Sequence, residues 1–67
     1  MQLMINGTHI NVPDTIETVS NLIEHLQLDK KVVIVECNQS ILEKESHEDT
    51  KLCDGDRIEL VHFVGGG

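Results

Sequence analysis

Arg57-Ile58-Glu59-Leu60-Val61-His62-Phe63-Val64-Gly65-Gly66-Gly67 closes the sequence. Ile58, Leu60 and His62 alternate with Glu59, Val61 and Phe63, the two-residue period of a strand. The glycines that follow weaken a strand and have no side chain to pack. The stretch therefore reads as a strand that runs straight into a thread, expected to end in a free carboxylate at Gly67. Three extended residues reach about 10 Å. Such a thread can enter a channel that excludes any bulkier residue, and no neighbouring side chain shields its terminal carbonyl. The same glycines also read as a frayed end, so the choice rests on the rest of the chain.

Working back from that strand, Asp54-Gly55-Asp56 reads as a turn. Glu43 through Lys51 is polar and irregular, Ile41-Leu42 reads as a short edge strand and Asn38-Gln39 as a turn. Val32-Val33-Ile34-Val35 is β-branched throughout and predicts a central strand. Before it, Val19, Leu22, Ile23 and Leu26 recur at helical spacing. Thr18 is the expected N-cap, and Leu28-Asp29 the expected close of the helix. At the start, Met1–Ile5 and His9–Val12 flank Asn6-Gly7, a hairpin signal because both turn residues tolerate positive φ. Pro13-Asp14 ends the returning strand.

The order strand-strand-helix-strand-short strand-strand predicts an α+β fold, a ubiquitin-like β-grasp. A mixed sheet of four to five strands would carry one helix across one face. The last strand would lie centrally beside the first. Residues 1–64 form the expected domain and 65–67 the expected flexible, reactive tail.

Sixty-seven residues suit one domain with a small core. Phe63 is the sole aromatic residue, so that core must be aliphatic. Twelve acidic against five basic side chains give a net charge of −7. That balance argues against nucleic acid and against anionic membranes, and favours solubility or a basic protein partner. No signal peptide or apolar span is legible, and a cytoplasmic location is expected.

His9, His25, His47 and His62 lack ligand spacing, and Cys37 and Cys53 form no CxxC, so no metal is expected. The histidines read as solvated or half-buried, and the cysteines as reduced, small packing residues. His47-Glu48-Asp49 has acid–base character but reads as a wet loop, with no nucleophile beside it. No Gly-rich phosphate loop is present, so nucleotide binding by this chain is not expected. Val61 and Phe63 are expected on the open sheet face if Ile58 and Leu60 face the helix. There they are a candidate partner interface. The alternative is a local contact with Met1, Leu3 or Ile5 on the neighbouring strand.

The β-grasp order, Asp54-Gly55-Asp56-Arg57-Ile58-Glu59 and the ending His62-Phe63-Val64-Gly65-Gly66-Gly67 resemble the ThiS-type sulfur carriers of bacterial thiamine biosynthesis. The resemblance spans the whole chain. A Gly-Gly end is shared with ubiquitin and with the small subunit of molybdopterin synthase. Two glycines are usual in the family, so Gly65 adds one. The resemblance implies that a ubiquitin-activating-type adenylyltransferase uses ATP to adenylate Gly67. A sulfur-supplying enzyme would then provide the sulfur of a thiocarboxylate, and thiazole synthase would consume it. Gly65 and Gly66 would enter the partner's active site. The chain would be a protein co-substrate with no bound cofactor of its own, not an enzyme. The alternatives are a carrier for another, molybdopterin-type pathway, a protein-conjugating modifier, and a non-covalent ubiquitin-like interaction module.

Overall fold

A computed structural model describes residues 1–62. It contains β1 (Gln2–Ile5), β2 (Thr8–Asn11), α1 (Val19–His25), β3 (Val33–Cys37), β4 (Ser40–Leu42), a 3-10 turn (Lys44–Ser46) and β5 (Arg57–His62). The strands form one sheet in the order β2-β1-β5-β3-β4. β1 and β5 are parallel and the other neighbours antiparallel. This is the expected mixed β-grasp sheet, with the last strand between the first and third. The expected continuation of β5 through Phe63 and Val64, and the tail Gly65-Gly66-Gly67, lie outside the described residues.

The first hairpin forms as its turn chemistry requires. Asn6 and Gly7 both take positive φ, 50° and 82°, which matches the twist of the flanking strands. Asn38 and Gln39 make the second such turn, between β3 and β4, at 49° and 73°. β3 starts one residue later and ends two residues later than the β-branched run suggests, so Val32 lies outside it, 68% exposed.

α1 begins at a capping box. The Asn21 N–H donates to Thr18 Oγ1 at 3.2 Å, and the Thr18 N–H donates to Asn21 Oδ1 at 3.1 Å. The helix closes earlier than Leu28-Asp29. Gln27 adopts φ 62°, the Gln27 N–H donates to the Glu24 carbonyl, and the Leu28 N–H donates to the Ile23 carbonyl. That pair of bonds is a Schellman closure built on glutamine where glycine is usual. Leu28 therefore lies past the helix, half-buried against the core.

Val19 and Leu22 are fully buried and Ile23 nearly so, against Leu3, Ile5, Val35, Ile58 and Leu60 of the sheet. The core is aliphatic, as the composition demands. Val12, Ile16 and Leu52 complete it from connecting segments. The 50–52 segment is tied to the helix start: the Val19 N–H donates to the Thr50 carbonyl, and the Leu52 N–H to the Glu17 carbonyl. Among the described residues no helix is long and apolar enough to cross a membrane.

Candidate functional site

β5 carries the chain toward its glycines, and the sheet holds it on both sides. On one side it pairs with β3 from Cys37↔Ile58 to Val33↔His62. On the other, the parallel ladder covers only Met4↔Arg57 and Ile5↔Ile58 before β1 turns away. The Asn6 side chain then continues the ladder. Its backbone N–H donates to the Ile58 carbonyl at 2.9 Å, its Oδ1 accepts from the Leu60 N–H at 2.7 Å, and its Nδ2 donates to the Leu60 carbonyl at 3.2 Å. An amide carries one acceptor and two donors, so it can stand in for a peptide group.

The turn before β5 is fastened as firmly. The Gln2 N–H donates to Asp54 Oδ1 at 2.6 Å, and the Gly55 N–H donates to the Gln2 carbonyl at 2.7 Å. Asp56 accepts from the Cys53 N–H at Oδ2 and from Asn38 Nδ2 at Oδ1. Gly55 sits at φ 89°, a conformation side chains rarely tolerate. The Asp54-Gly55-Asp56 turn thus registers β1, the β3–β4 turn and β5 against one another.

Ile58 and Leu60 face the helix, and Val61 faces the open side, 55% exposed. Val61 lies directly across from Ile34, which is 45% exposed. Leu3 and Ile5 are buried on the opposite face, so they do not cover it. Val32, Ile34 and Val61 leave an apolar area at the end of β5 that leads to the tail. Glu59 pairs with Glu36 on the same face, and Ile41, exposed on edge strand β4, lies beyond Glu36. Phe63, expected beside Val61, lies outside the described residues.

His9, His25 and His62 are exposed, but His47 is not. It is buried to 6% exposure, and among the described residues its Nε2 has no hydrogen-bond partner. The wet-loop reading of His47-Glu48-Asp49 fails at its first residue. The cause is long-range docking: the Ser20 N–H donates to the His47 carbonyl and pulls the segment onto α1. Glu48 and Asp49 remain exposed. Among the described residues no group of three His, Cys, Asp or Glu side chains is arranged to hold a metal ion.

Cys37 is half-buried and Cys53 exposed. Burial raises the Cys37 thiol above its usual range, and the neighbouring Asp56 and Cys53 add to the effect. The thiolate is the reactive form, so Cys37 is expected to alkylate more slowly than Cys53 with iodoacetamide at neutral pH. Because its pKa is raised, its rate must still be climbing at pH values near and above 9.0, the ordinary thiol value. Peptide mapping after timed alkylation across that range reads both sites. A faster Cys37 at neutral pH would contradict the assignment.

A model of the ThiS family matches residues 2–67, nearly the whole chain. The chain belongs to the ThiS family. It is 45% identical over 65 residues to the sulfur carrier protein ThiS of Bacillus subtilis (strain 168), covering 97% of this chain and 98% of that protein. It is 40% identical over its full 67 residues to part of a thiazole synthase from Paramagnetospirillum magneticum, of which it spans 20%. The crystal structure of ThiS from Geobacter metallireducens superposes with a TM-score of 0.83, at 35% identity and full coverage of both chains. The ThiS fold accounts for the sheet order and the single helix.

Proposed function

We propose that this chain is a sulfur carrier for thiamine biosynthesis, loaded at the Gly67 carboxylate. Its place in the ThiS family and its likeness to the Bacillus subtilis carrier support this reading. The likeness to part of a thiazole synthase supports thiazole synthase as the enzyme that takes the sulfur, since it places a carrier-like segment and the synthase on one chain. The structural observation that carries the reading is the placement of β5. It is anchored between two neighbours and directed into residues 63–67, so the body can hold the tail's root while the tip reacts.

Residues 1–64 act as the body and Gly65-Gly66-Gly67 as the reactive tail. A carboxylate is a poor electrophile. A ubiquitin-activating-type adenylyltransferase joins a Gly67 carboxylate oxygen to the α-phosphorus of ATP and releases pyrophosphate. Sulfur derived from cysteine and delivered at the sulfide level by a sulfur-supplying enzyme attacks the acyl carbon, the C–O bond to AMP breaks, and AMP leaves the thiocarboxylate behind. ATP is consumed by the partner, and this chain contributes the substrate carboxylate, not catalytic groups. Ile34 and Val61 form the surface that seats the partner, and Phe63, two residues further along the sequence, is assigned to the same contact by the alternation of the sequence alone. The acidic balance of the chain favours partners with basic surrounds.

Intact-protein mass after incubation with the adenylyltransferase, ATP and a sulfur source tests the reading. Sulfur in place of one oxygen on the C-terminal peptide is the expected product. A stable isopeptide-linked product would instead make the chain a modifier, and an unchanged mass would leave a non-covalent module.

A further inference from the structure

Asn6 holds β5 and also precedes a glycine. Of Asn6, Asn11, Asn21 and Asn38, it alone is followed by one. Asparagine before glycine is the pairing most open to deamidation, because no side chain crowds the attacking backbone nitrogen. Asn6 and Gly7 sit in the exposed β1–β2 turn, and nothing lies within 4 Å of the place a Gly7 Cβ would take. We propose that Asn6 is a gated deamidation site: its bonds to β5 suppress the reaction, and its isoaspartyl product frees β5 from β1 beyond Ile58.

The Gly7 amide nitrogen, losing its proton to hydroxide, attacks the Asn6 Cγ. The N–Cγ bond forms, the Cγ–Nδ2 bond breaks, and Nδ2 departs as ammonia, which leaves a cyclic imide. Water then opens the ring at Cγ to give aspartate, or at the Asn6 backbone carbonyl carbon to give isoaspartate. The sum is amide plus water to acid plus ammonia, with no oxidant or cofactor. Attack makes Cγ tetrahedral. The amide then loses the plane in which Oδ1 accepts from the Leu60 N–H at 2.7 Å and Nδ2 donates to the Leu60 carbonyl at 3.2 Å. Both bonds must open first, so the reaction runs through a local opening of the native state. Each such bond shifts that equilibrium by about two- to tenfold. The products differ in what they leave behind. Aspartate keeps an acceptor for the Leu60 N–H but no donor for its carbonyl. Isoaspartate lengthens the backbone inside a two-residue turn that needs positive φ at both positions, so the side-chain contact is lost. The parallel ladder otherwise consists of Met4↔Arg57 and Ile5↔Ile58, and without Asn6 it stops at Ile58. Re-forming hydrogen bonds cannot restore the amide, so the change runs one way. The site does not rest on the sulfur-carrier reading, and its test needs neither ATP nor sulfur.

The test is peptide mapping by mass spectrometry of the full chain held at mildly alkaline pH, beside the free peptide Leu3–Ile10, which has no β5 to bond. Conversion of the full chain is expected at Asn6 ahead of Asn11, Asn21 and Asn38. It should run about tenfold or more slower than in the peptide, the size of two such bonds. Leu22→Ala, which loosens the fold without touching the turn, should bring the rate toward that of the peptide. The isoaspartyl chain, separated after conversion, should exchange its Leu60 amide proton faster than the unconverted chain. A full-chain rate equal to the peptide's would show that the Leu60 bonds gate nothing and overturn the proposal. So would a Leu22→Ala chain that converts no faster than the parent, or first conversion at another asparagine. Unchanged Leu60 exchange in the isoaspartyl chain would overturn the release of β5.

Discussion

Removing Gly66 and Gly67 together is expected to abolish thiocarboxylate formation and leave the folding transition where it was. The described core closes within residues 3–60. The deletion therefore removes none of its contacts, and surface changes of this kind alter stability by less than about 0.5 kcal/mol. Its effect on chemistry is of another order. Two residues of extended chain amount to about 7 Å of reach, and a misplacement of about 1 Å already costs roughly 100-fold in a positioned reaction. Gly66→Val separates reach from width. It keeps the length but adds a β-branched side chain that stiffens the thread, and adenylation should fall steeply with an unchanged melting temperature. Pyrophosphate release and intact mass measure the chemistry, and circular dichroism measures the fold. Full activity in the double deletion would remove the tail from the mechanism.

Leu22→Ala is expected to unfold a large fraction of the protein at moderate temperature. Leu22 is fully buried on α1, in the core cluster that joins the helix to Leu3, Ile5, Val35, Ile58 and Leu60 of the sheet. Truncating such a leucine costs about 2–5 kcal/mol. A domain of this length has only about 3–10 kcal/mol in reserve. Each kcal/mol moves the midpoint by about 4–8 °C in a small domain, so the melting temperature should fall by at least about 8 °C. Urea denaturation followed by circular dichroism gives the free-energy loss directly. A loss under about 1 kcal/mol would mean that the helix does not hold the core together.

These two predictions draw on different parts of what the sequence discloses. Elements set by neighbours in the chain were legible: the Asn6-Gly7 hairpin, the Thr18 cap, the Val19-Leu22-Ile23 stripe and the alternation that turns Val61 outward. The ThiS likeness was legible because its carriers are local motifs at the end of the chain. What depended on distant partners was not. Gln27 ends the helix through a conformation that glutamine does not advertise. His47 is buried because Ser20, far back in the chain, bonds to its carbonyl. Asn6 reads only as a turn residue, yet its side chain bonds to Leu60, 54 positions away. Ile16 and Leu52 belong to no periodic run because each enters the core from a connecting segment.

The parallel placement of β1 beside β5 has a mechanical meaning. Tension applied between the chain's two ends draws these strands past one another lengthwise. The ladder bonds, the Asn6 amide included, are then loaded together and must fail together. Tension between the tail and Val32 acts differently. Val33 lies opposite His62, so both attachment points are at one end of the sheet, and β3 peels from β5 one bond at a time. In single-molecule stretching the end-to-end geometry should rupture at clearly higher force than the Val32 geometry, and equal forces would show that the β1–β5 contact bears no load. Held at β1, the chain therefore resists a pull on β5 along the direction in which these bonds share the load.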